Sequence, residues 1–387
     1  NINRNPDEPK KLKKLLETVV PKLVLNRLLS LYHLALAFLG ALFYWFPSRK
    51  LIVVGITGTK GKSSTAEMLN AIFEEAGYTT AVLNSIRIKT GEKSEPNLMR
   101  MTMPGRFFIQ KFLFNAVRAG CMVAILEMTS QGAAQHRHRF IDLDALIFTN
   151  LAPEHIESHG SYENYANAKF ELARELLCSG KRPRIMVANA DDNQSIRYLS
   201  LPVEKVLPFS LSGCKPWSAD LRGGHFNFDG LDIRIKLPGE FSLKNALAAA
   251  TVAQAFGISS QKILKALEKI RTIPGRAETI EAGQNFTVVV DYAHTPDSLE
   301  ALYKAYGKRR KICVLGATGG GRDTWKRKVM GGIADTSCEK VILTNEDPYD
   351  EDPRAIVDEV ANGMSASEGK HPPEIIMDRR EAIRRAL

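Results

Sequence analysis

The sequence predicts an α/β protein with a mostly parallel central sheet, a smaller doubly wound unit after it and a helical segment in front. Three observations carry this. A glycine-rich loop joins an apolar strand to a helix at residues 51–77. Short apolar strands alternate with helical stretches as far as residue 274. A second alternating series starts at Phe286. The divisions expected from these changes of pattern are 1–50, 51–274 and 275–387.

The first fifty residues carry nine Lys/Arg against three Asp/Glu, a net +6 within a chain total of +10. The rest is close to balanced, which argues against a nucleic-acid groove across the fold. Residues 9–27 read as a basic amphipathic helix broken at Pro21, and residues 28–47 are almost wholly apolar with Tyr44 and Trp45 at their end. Twenty such residues are long enough to span a bilayer, and aromatic ends suit its interface. Two readings stay open: a helix packed on its own protein, or a membrane contact through residues 9–47. No small-residue cleavage site follows, so a signal peptide is not expected. Asn1 in place of Met reads as a trimmed N-terminus.

Leu51–Ile56 is the first buried-type strand and Ser63–Gly77 the first helix; Val123–Glu127 and Ala145–Thr149 are further strands. Residues 215–237 alternate on a shorter scale, as an antiparallel edge or flap would, and Phe241–Phe256 is helical. Pro274-Gly275-Arg276 reads as a hinge. Beyond it, strands are expected at 286–291, 311–317, 340–345 and 374–377. A fold of this kind normally adds one or two strands after the last helix, so the C-terminus reads as incomplete. Five scattered cysteines without a C-x-x-C pair read as reduced, buried thiols of a cytoplasmic protein.

Gly58-Thr59-Lys60-Gly61-Lys62-Ser63-Ser64 lies where a P-loop-type phosphate cradle belongs, between strand and helix. The glycines free backbone N–H groups to converge on phosphates. Lys62 supplies a point charge for the outer phosphates, and the Ser63 hydroxyl is a ligand for Mg²⁺. The usual four-residue spacing between the glycines is not met. Glu127 ends an apolar strand beside the loop, a position from which a carboxylate holds Mg²⁺.

The shorter loop resembles the Gly-Thr-Asn-Gly-Lys-[Ser/Thr] of the Mur ligases of peptidoglycan synthesis and the folylpolyglutamate synthetases, with Lys60 in place of Asn. Further segments match the Mur ligases in order, nearest to the tripeptide-forming ones. Residues 127–137 place Ser130, Gln135 and Arg137 as acceptor contacts, and Thr149–Gly160 make His155 a second Mg²⁺ ligand beside Glu127. Tyr165–Lys169 match the segment whose lysine is carbamylated, which would make Lys169 a metal ligand too. Of the family's acceptor loop only Thr102 and Pro104 survive. Gly239–Ala246 imply that Asn245 contacts adenine, and Pro274–Glu278 imply that Arg276 reaches the nucleotide after closure. Asp291-Tyr292-Ala293-His294-Thr295-Pro296-Asp297 place Asp291 and His294 on the nucleotide side. Gly319–Arg327 make Arg322 the guanidinium for the incoming amino acid's carboxylate. Asp347 falls in the Asp-Asn-Pro-Arg of diaminopimelate-adding enzymes, but Tyr349 replaces the arginine, so the amino acid stays open.

The resemblance covers residues 51–387 and implies an ADP-forming amide ligase that uses ATP and Mg²⁺. Lys62, Glu127, His155 and Lys169 would be its catalytic set, and a muropeptide-like carboxylate acceptor and a free amino acid its substrates. The family's uridine-nucleotide-binding domain has no counterpart in residues 1–50, and one expectation is that the apolar helix meets a membrane-bound acceptor instead. Two alternatives are a cyanophycin- or polyglutamate-type ligase with another acceptor, and a non-catalytic ATP-binding scaffold at the membrane. Gln135 and Arg137 argue against the first, and the intact Lys62, Glu127, His155 and Lys169 against the second.

Overall fold

The computed structural model describes residues 22–387 apart from Arg100, His155, Arg322 and 365–371; the expectations for the basic stretch before residue 22, for His155 and for Arg322 fall outside the described residues. Eight strands form the main sheet in the order β4-β3-β2-β5-β1-β6-β7-β8. They are β1 Ile52–Thr57, β2 Thr80–Leu83, β3 Arg87–Thr90, β4 Lys93–Pro96, β5 Val123–Glu127, β6 Ala145–Phe148, β7 Ile185–Asn189 and β8 Lys205–Phe209. All pairs are parallel except β2–β3 and β3–β4. β1 is central and buried on both faces, which is why it reads as a continuous apolar run rather than an alternating one.

Side chains along β1 serve two cores by the period of two. Val54 and Ile56 face the cluster with Met68, Leu69, Ile72 and Phe73 of α2 (Lys62–Glu75). Val53 faces the cluster with Ile109, Phe112 and Leu113, from the helix at Arg106–Arg118, and with Leu172 and Leu176. An alanine-rich helix at Glu240–Ala255 packs on α2 through Ala246, Ala249 and Ala250, whose small side chains permit a close approach.

α1 is one helix, Lys22–Phe43. It packs on α3 (Arg106–Arg118): a Cβ at Gly40 would lie 3.5 Å from Phe107, and the rings of Tyr44 and Phe114 are 5.5 Å apart. Phe38 meets Phe140 edge-on at 5.4 Å. Leu25, Ala37 and Ala41 are buried. The opposite face stays open, with Leu31 63% and Phe43 69% exposed, as is Trp45 (80%) just after the helix. No helix among the described residues is long and apolar enough to cross a membrane. The apolar run is therefore shared between a packed inner face and an exposed outer one.

In chain order the remaining helices of this part are α4 (Ser130–Ala134), α5 (Ile156–His159), α6 (Tyr162–Cys178), α7 (Ser195–Leu199), α8 (Glu240–Ala255) and α9 (Ser260–Lys269). β9 (Trp217–Asp220), β10 (Gly223–Phe228) and β11 (Leu231–Ile235) form the small antiparallel sheet expected between 215 and 237.

The strand expected at 286–291 is shorter, β13 (Val288–Val290), and pairs antiparallel with β12 (Glu278–Ile280) instead of joining the doubly wound series. An apolar run does not specify the direction of its partner. The parallel sheet that follows has three strands, β14 (Ile312–Leu315), β15 (Lys340–Leu343) and β16 (Glu374–Ile375). α10 (Pro296–Ala305), α11 (Trp325–Ser337), α12 (Pro353–Met364) and α13 (Arg379–Ala386) surround it. α11 and α12 cross so closely that a Cβ at Gly363 would lie 1.9 Å from the Lys328 carbonyl oxygen. The cysteine expectation is corrected in part. Cys121, Cys313 and Cys338 are buried, Cys214 is half-buried, and Cys178 is exposed near the end of α6.

Candidate active site

A cleft of about 520 Å³ lies at the C-terminal ends of the parallel strands, between the main sheet and the segment from Arg276 to Leu302. Ligands of open α/β sheets bind at this end. The 58–63 loop forms its floor. Gly58 has φ +144° and a Cβ there would meet Thr149 Oγ1 at 2.0 Å; Gly61 has φ +82° and would meet Asn245 Oδ1 at 2.2 Å. Only glycine fits at either position.

The loop is tied on its outer side. Thr59 N donates to Asn150 O (2.9 Å), Lys60 N to Asn150 Oδ1 (2.9 Å), and Thr149 Oγ1 to Lys60 O (2.7 Å). The fully buried Lys169 Nζ donates to Gly58 O at 2.6 Å. Burial, and after it Lys62, pulls the Lys169 ammonium well below its ordinary value, so the neutral amine is favoured.

At the start of α2, Ser63 Oγ donates to Glu127 Oε2 (2.9 Å), which also accepts from Ser85 N (3.0 Å). Lys62 Nζ lies 3.9 Å from Glu127 Oε1 and donates to Thr59 O at 2.9 Å. Arg276 Nη2 is 3.2 Å from both Ser63 Oγ and Ser85 Oγ. Arg276 was expected to arrive only on closure; in this structure it already stands at the phosphate-loop serine, its guanidinium 4.9 Å from the Tyr292 ring centre. A buried carboxylate with a serine hydroxyl is an all-oxygen donor set of the kind a hard divalent cation takes, so these residues fit Mg²⁺.

Asn245 is buried against the loop, its Oδ1 3.4 Å from Thr65 Oγ1, and it lines the cleft. Ser64 is buried in the first turn of α2 and also lines it. Asp291 accepts from Ala277 N (2.6 Å) and Ala293 N (2.7 Å), tying the residue just after the hinge to the chain beyond β13; burial pushes its carboxyl up. His294 Nε2 is 2.8 Å from Glu154 Oε1, which Lys60 Nζ approaches at 3.3 Å. Burial lowers the Lys60 ammonium, against the pull of Glu154.

The residues expected to hold the acceptor form a separate group. Thr102 lines the cleft, and Ser130 Oγ is 3.2 Å from His159 Nε2. Gln135 and Arg137 hold each other: Arg137 Nε and Nη2 donate to Gln135 Oε1 at 3.2 and 2.7 Å, and Nη1 donates to Met103 O. On the opposite side Asp347 is exposed, and its carbonyl accepts from Gly319 N at 2.8 Å. Buried Arg327 donates to Glu351 (2.8 Å) and Glu359 (3.0 Å), and Glu351 accepts from Gly321 N (2.7 Å), which fixes the glycine turn before residue 322.

Three participants escaped the sequence reading. Ser85 needs the fold to bring the end of β2 to Glu127. Asp192 accepts from Leu151 N at 2.7 Å on the cleft wall. Glu154 stands next to His155 in the Thr149–Gly160 motif, and a carboxylate beside a histidine expected to hold metal was the signal available.

The family described as Mur ligase middle domain matches residues 56–253, and Mur ligase, glutamate ligase domain matches residues 275–387. A UDP-N-acetylmuramoyl-L-alanyl-D-glutamate--2,6-diaminopimelate ligase of Syntrophomonas wolfei is 36% identical over 365 residues, covering 91% of this chain and 73% of that protein. A UDP-N-acetylmuramyl-tripeptide synthetase of a Roseiflexus species is 37% identical over 384 residues, covering 92% and 74%. Among solved structures, a UDP-N-acetylmuramoyl-L-alanyl-D-glutamate--2,6-diaminopimelate ligase matches with TM-score 0.57 and 28% identity, over 86% of this chain and 69% of that one. The folylpolyglutamate synthase of Mycobacterium tuberculosis, complexed with ADP and AMPPCP, shares the fold at TM-score 0.71 and 18% identity, over 91% and 87%.

Proposed function

Because this chain belongs to the Mur ligase family, we propose that it is an ATP-dependent, ADP-forming ligase of peptidoglycan synthesis that joins a free amino acid to a muropeptide-like carboxylate. The observation that carries this is the convergence of Lys62, Ser63, Glu127 and Arg276 on one cleft at the end of β1.

An acceptor carboxylate oxygen attacks the γ-phosphorus of ATP, and ADP leaves. The amine of the amino acid attacks the acyl carbon of the resulting acyl phosphate, loses a proton, and inorganic phosphate leaves with the P–O bond intact. Residues 58–64 cradle the phosphates, and Lys62 offsets charge on the transferring group. Asn245, Arg276, Asp291 and His294 complete the nucleotide side. Mg²⁺, when bound, screens the phosphates, and Ser63, Glu127, His155 and, once carbamylated, Lys169 would hold it. Burial shifts Lys169 toward the uncharged amine, the form that reacts with CO₂, which supports the modification. Thr102, Ser130, Gln135 and Arg137 hold the acceptor, and Arg322 and Asp347 the amino acid. Segments 1–50, 51–274 and 275–387 divide the work: membrane contact, nucleotide chemistry, amino-acid delivery.

The chain works at the cytoplasmic face of a membrane. The exposed apolar side of α1 supports this, with the cluster of lysines in residues 10–14 before it.

Phosphate release with ATP and Mg²⁺ tests the ligase reading, across acceptors that include UDP-MurNAc-dipeptide and polyglutamate, each paired with lysine, diaminopimelate, ornithine, glutamate, aspartate or arginine. A ligated muropeptide by mass supports it. Release on polyglutamate alone would remove the peptidoglycan assignment and keep the chemistry.

A further inference from the structure

The inner face of α1 brings Ser30 and His33 against the acceptor loop. Ser30 Oγ is 2.8 Å from His136 Nε2. His33 there feels Arg106, the first residue of α3, together with His136 and Arg137: burial, then these three, lowers its imidazole. Burial and then Arg137 lower the Arg106 guanidinium. Three segments thus turn positive or protonatable groups toward one another.

Their anionic counterpart is missing from the described residues. Neither Arg106 nor Arg137 has a salt bridge among them, and the one carboxylate that acts on His136, Glu171, is itself ion-paired with Arg174. Arg106 donates through Nε to Gln135 O at 3.0 Å, but its Nη2 is buried without a partner, as are His33 Nδ1 and His136 Nδ1. Buried polar groups are normally satisfied, and a guanidinium nitrogen without an acceptor is costly. His138, stacked on His136 with ring centres 6.5 Å apart, is held neutral by burial and adds no charge.

The position of the cluster indicates what it takes. It adjoins Arg137 and Met103, beside the residues expected to hold the acceptor, and α1 separates it from the exposed apolar surface. One carboxylate is satisfied by one forked guanidinium; donors from three segments suit a group with more oxygens and more charge. We propose that His33, Arg106 and His136 form an anion subsite for the diphosphate that links the acceptor sugar to its carrier. This rests on the acceptor reading above. The carrier is a nucleoside or a polyprenyl chain, and the diphosphate is common to both.

The test is calorimetric titration of the full chain, with its phosphate loop filled by Mg²⁺ and a non-hydrolysable ATP analogue. The probes are UDP-MurNAc-dipeptide, a short-chain prenyl-diphosphoryl-MurNAc-dipeptide and MurNAc-dipeptide without diphosphate. At least one diphosphate probe should bind tenfold or more tighter than the bare one. Arg106→Gln and His33→Gln should each remove most of that advantage and leave the bare probe's Kd unchanged. Which diphosphate probe gains identifies the carrier. Thermal melts check folding, and His33→Gln, half-exposed on α1, serves if Arg106→Gln does not fold. Equal binding of all three probes, no binding, an advantage that survives both variants, or an equal loss on the bare probe would overturn the subsite. Ligation of the same acceptors is scored separately. A diphosphate advantage without ligation keeps the subsite and removes the ligase reading.

Discussion

Glu157 and Asp323 cap each other's backbone across the two halves of the molecule. Asp323 Oδ1 accepts from Ile156 N (2.9 Å) and Glu157 N (3.4 Å), while the Glu157 carboxylate accepts from Asp323 N (2.6 Å) and Thr324 N (3.1 Å). Asp323 is 1% exposed and has φ +49°, so its backbone is held in a region that needs such support. The clasp joins α5 to the chain at the start of α11.

Asp323→Ala should therefore loosen this junction without touching the phosphate loop. Losing the acceptor of these part-buried N–H groups costs on the order of 1 kcal/mol. Amino-acid-dependent ligation should fall by about tenfold or more, with ATP affinity unchanged and a larger radius of gyration by X-ray scattering. Because the caps are reciprocal, Glu157→Ala on top of Asp323→Ala should add little. Fully additive losses would show that the two caps act independently.

Glu154 is buried between Lys60 and His294. Glu154→Gln keeps the shape and removes the charge that offsets a half-buried ammonium. A loss of about 1–3 kcal/mol is expected, read as a lower melting midpoint. Lys60→Met in the same background should recover part of it, because the unpaired charge goes too.

Lys169 gives the chain a pH dependence with a defined sign. Its folded value lies well below the ordinary 10.5. Between those two values the unfolded state binds more protons, so stability rises with pH across the window. In CO₂-free buffer the wild type should gain stability toward pH 10 relative to Lys169→Met. With ¹³C-bicarbonate, a carbamate carbon signal should appear in the wild type and not in the variant.

The open side of α1 should hold the chain on vesicles. Flotation with anionic lipid should carry the wild type and weaken with salt. Leu31→Glu and Trp45→Glu, both at exposed positions, should stay in solution with an unchanged melting midpoint. Equal flotation of wild type and variants would place the contact elsewhere.

The 58–63 loop was legible because its chemistry is local: two glycines, a lysine and a serine between a strand and a helix. Asn245 shows the limit. The resemblance implies a contact to the base; that its side chain also packs under Gly61 and Thr65 is set by how closely α8 approaches α2, which no motif carries. The Glu157–Asp323 clasp and the Ser85 contact to Glu127 join segments whose spacing in the chain carries no periodic signal. α1 illustrates a different limit. A helix apolar all round has no sequence signature for which side is covered, so only packing against α3 distinguished the two faces.

The edges of the main sheet bear on how copies of this chain behave together. β4 is exposed along its length, carries the Lys93–Glu95 ion pair and ends in Pro96; β8, at the other edge, contains Pro208. Proline withholds a donor, and charge on an edge strand discourages a second strand from docking. A lipid surface that gathered many copies through α1 would raise their local concentration, yet neither edge offers a clean template for strand addition. Crowding there would pack the chains side by side without seeding fibrils.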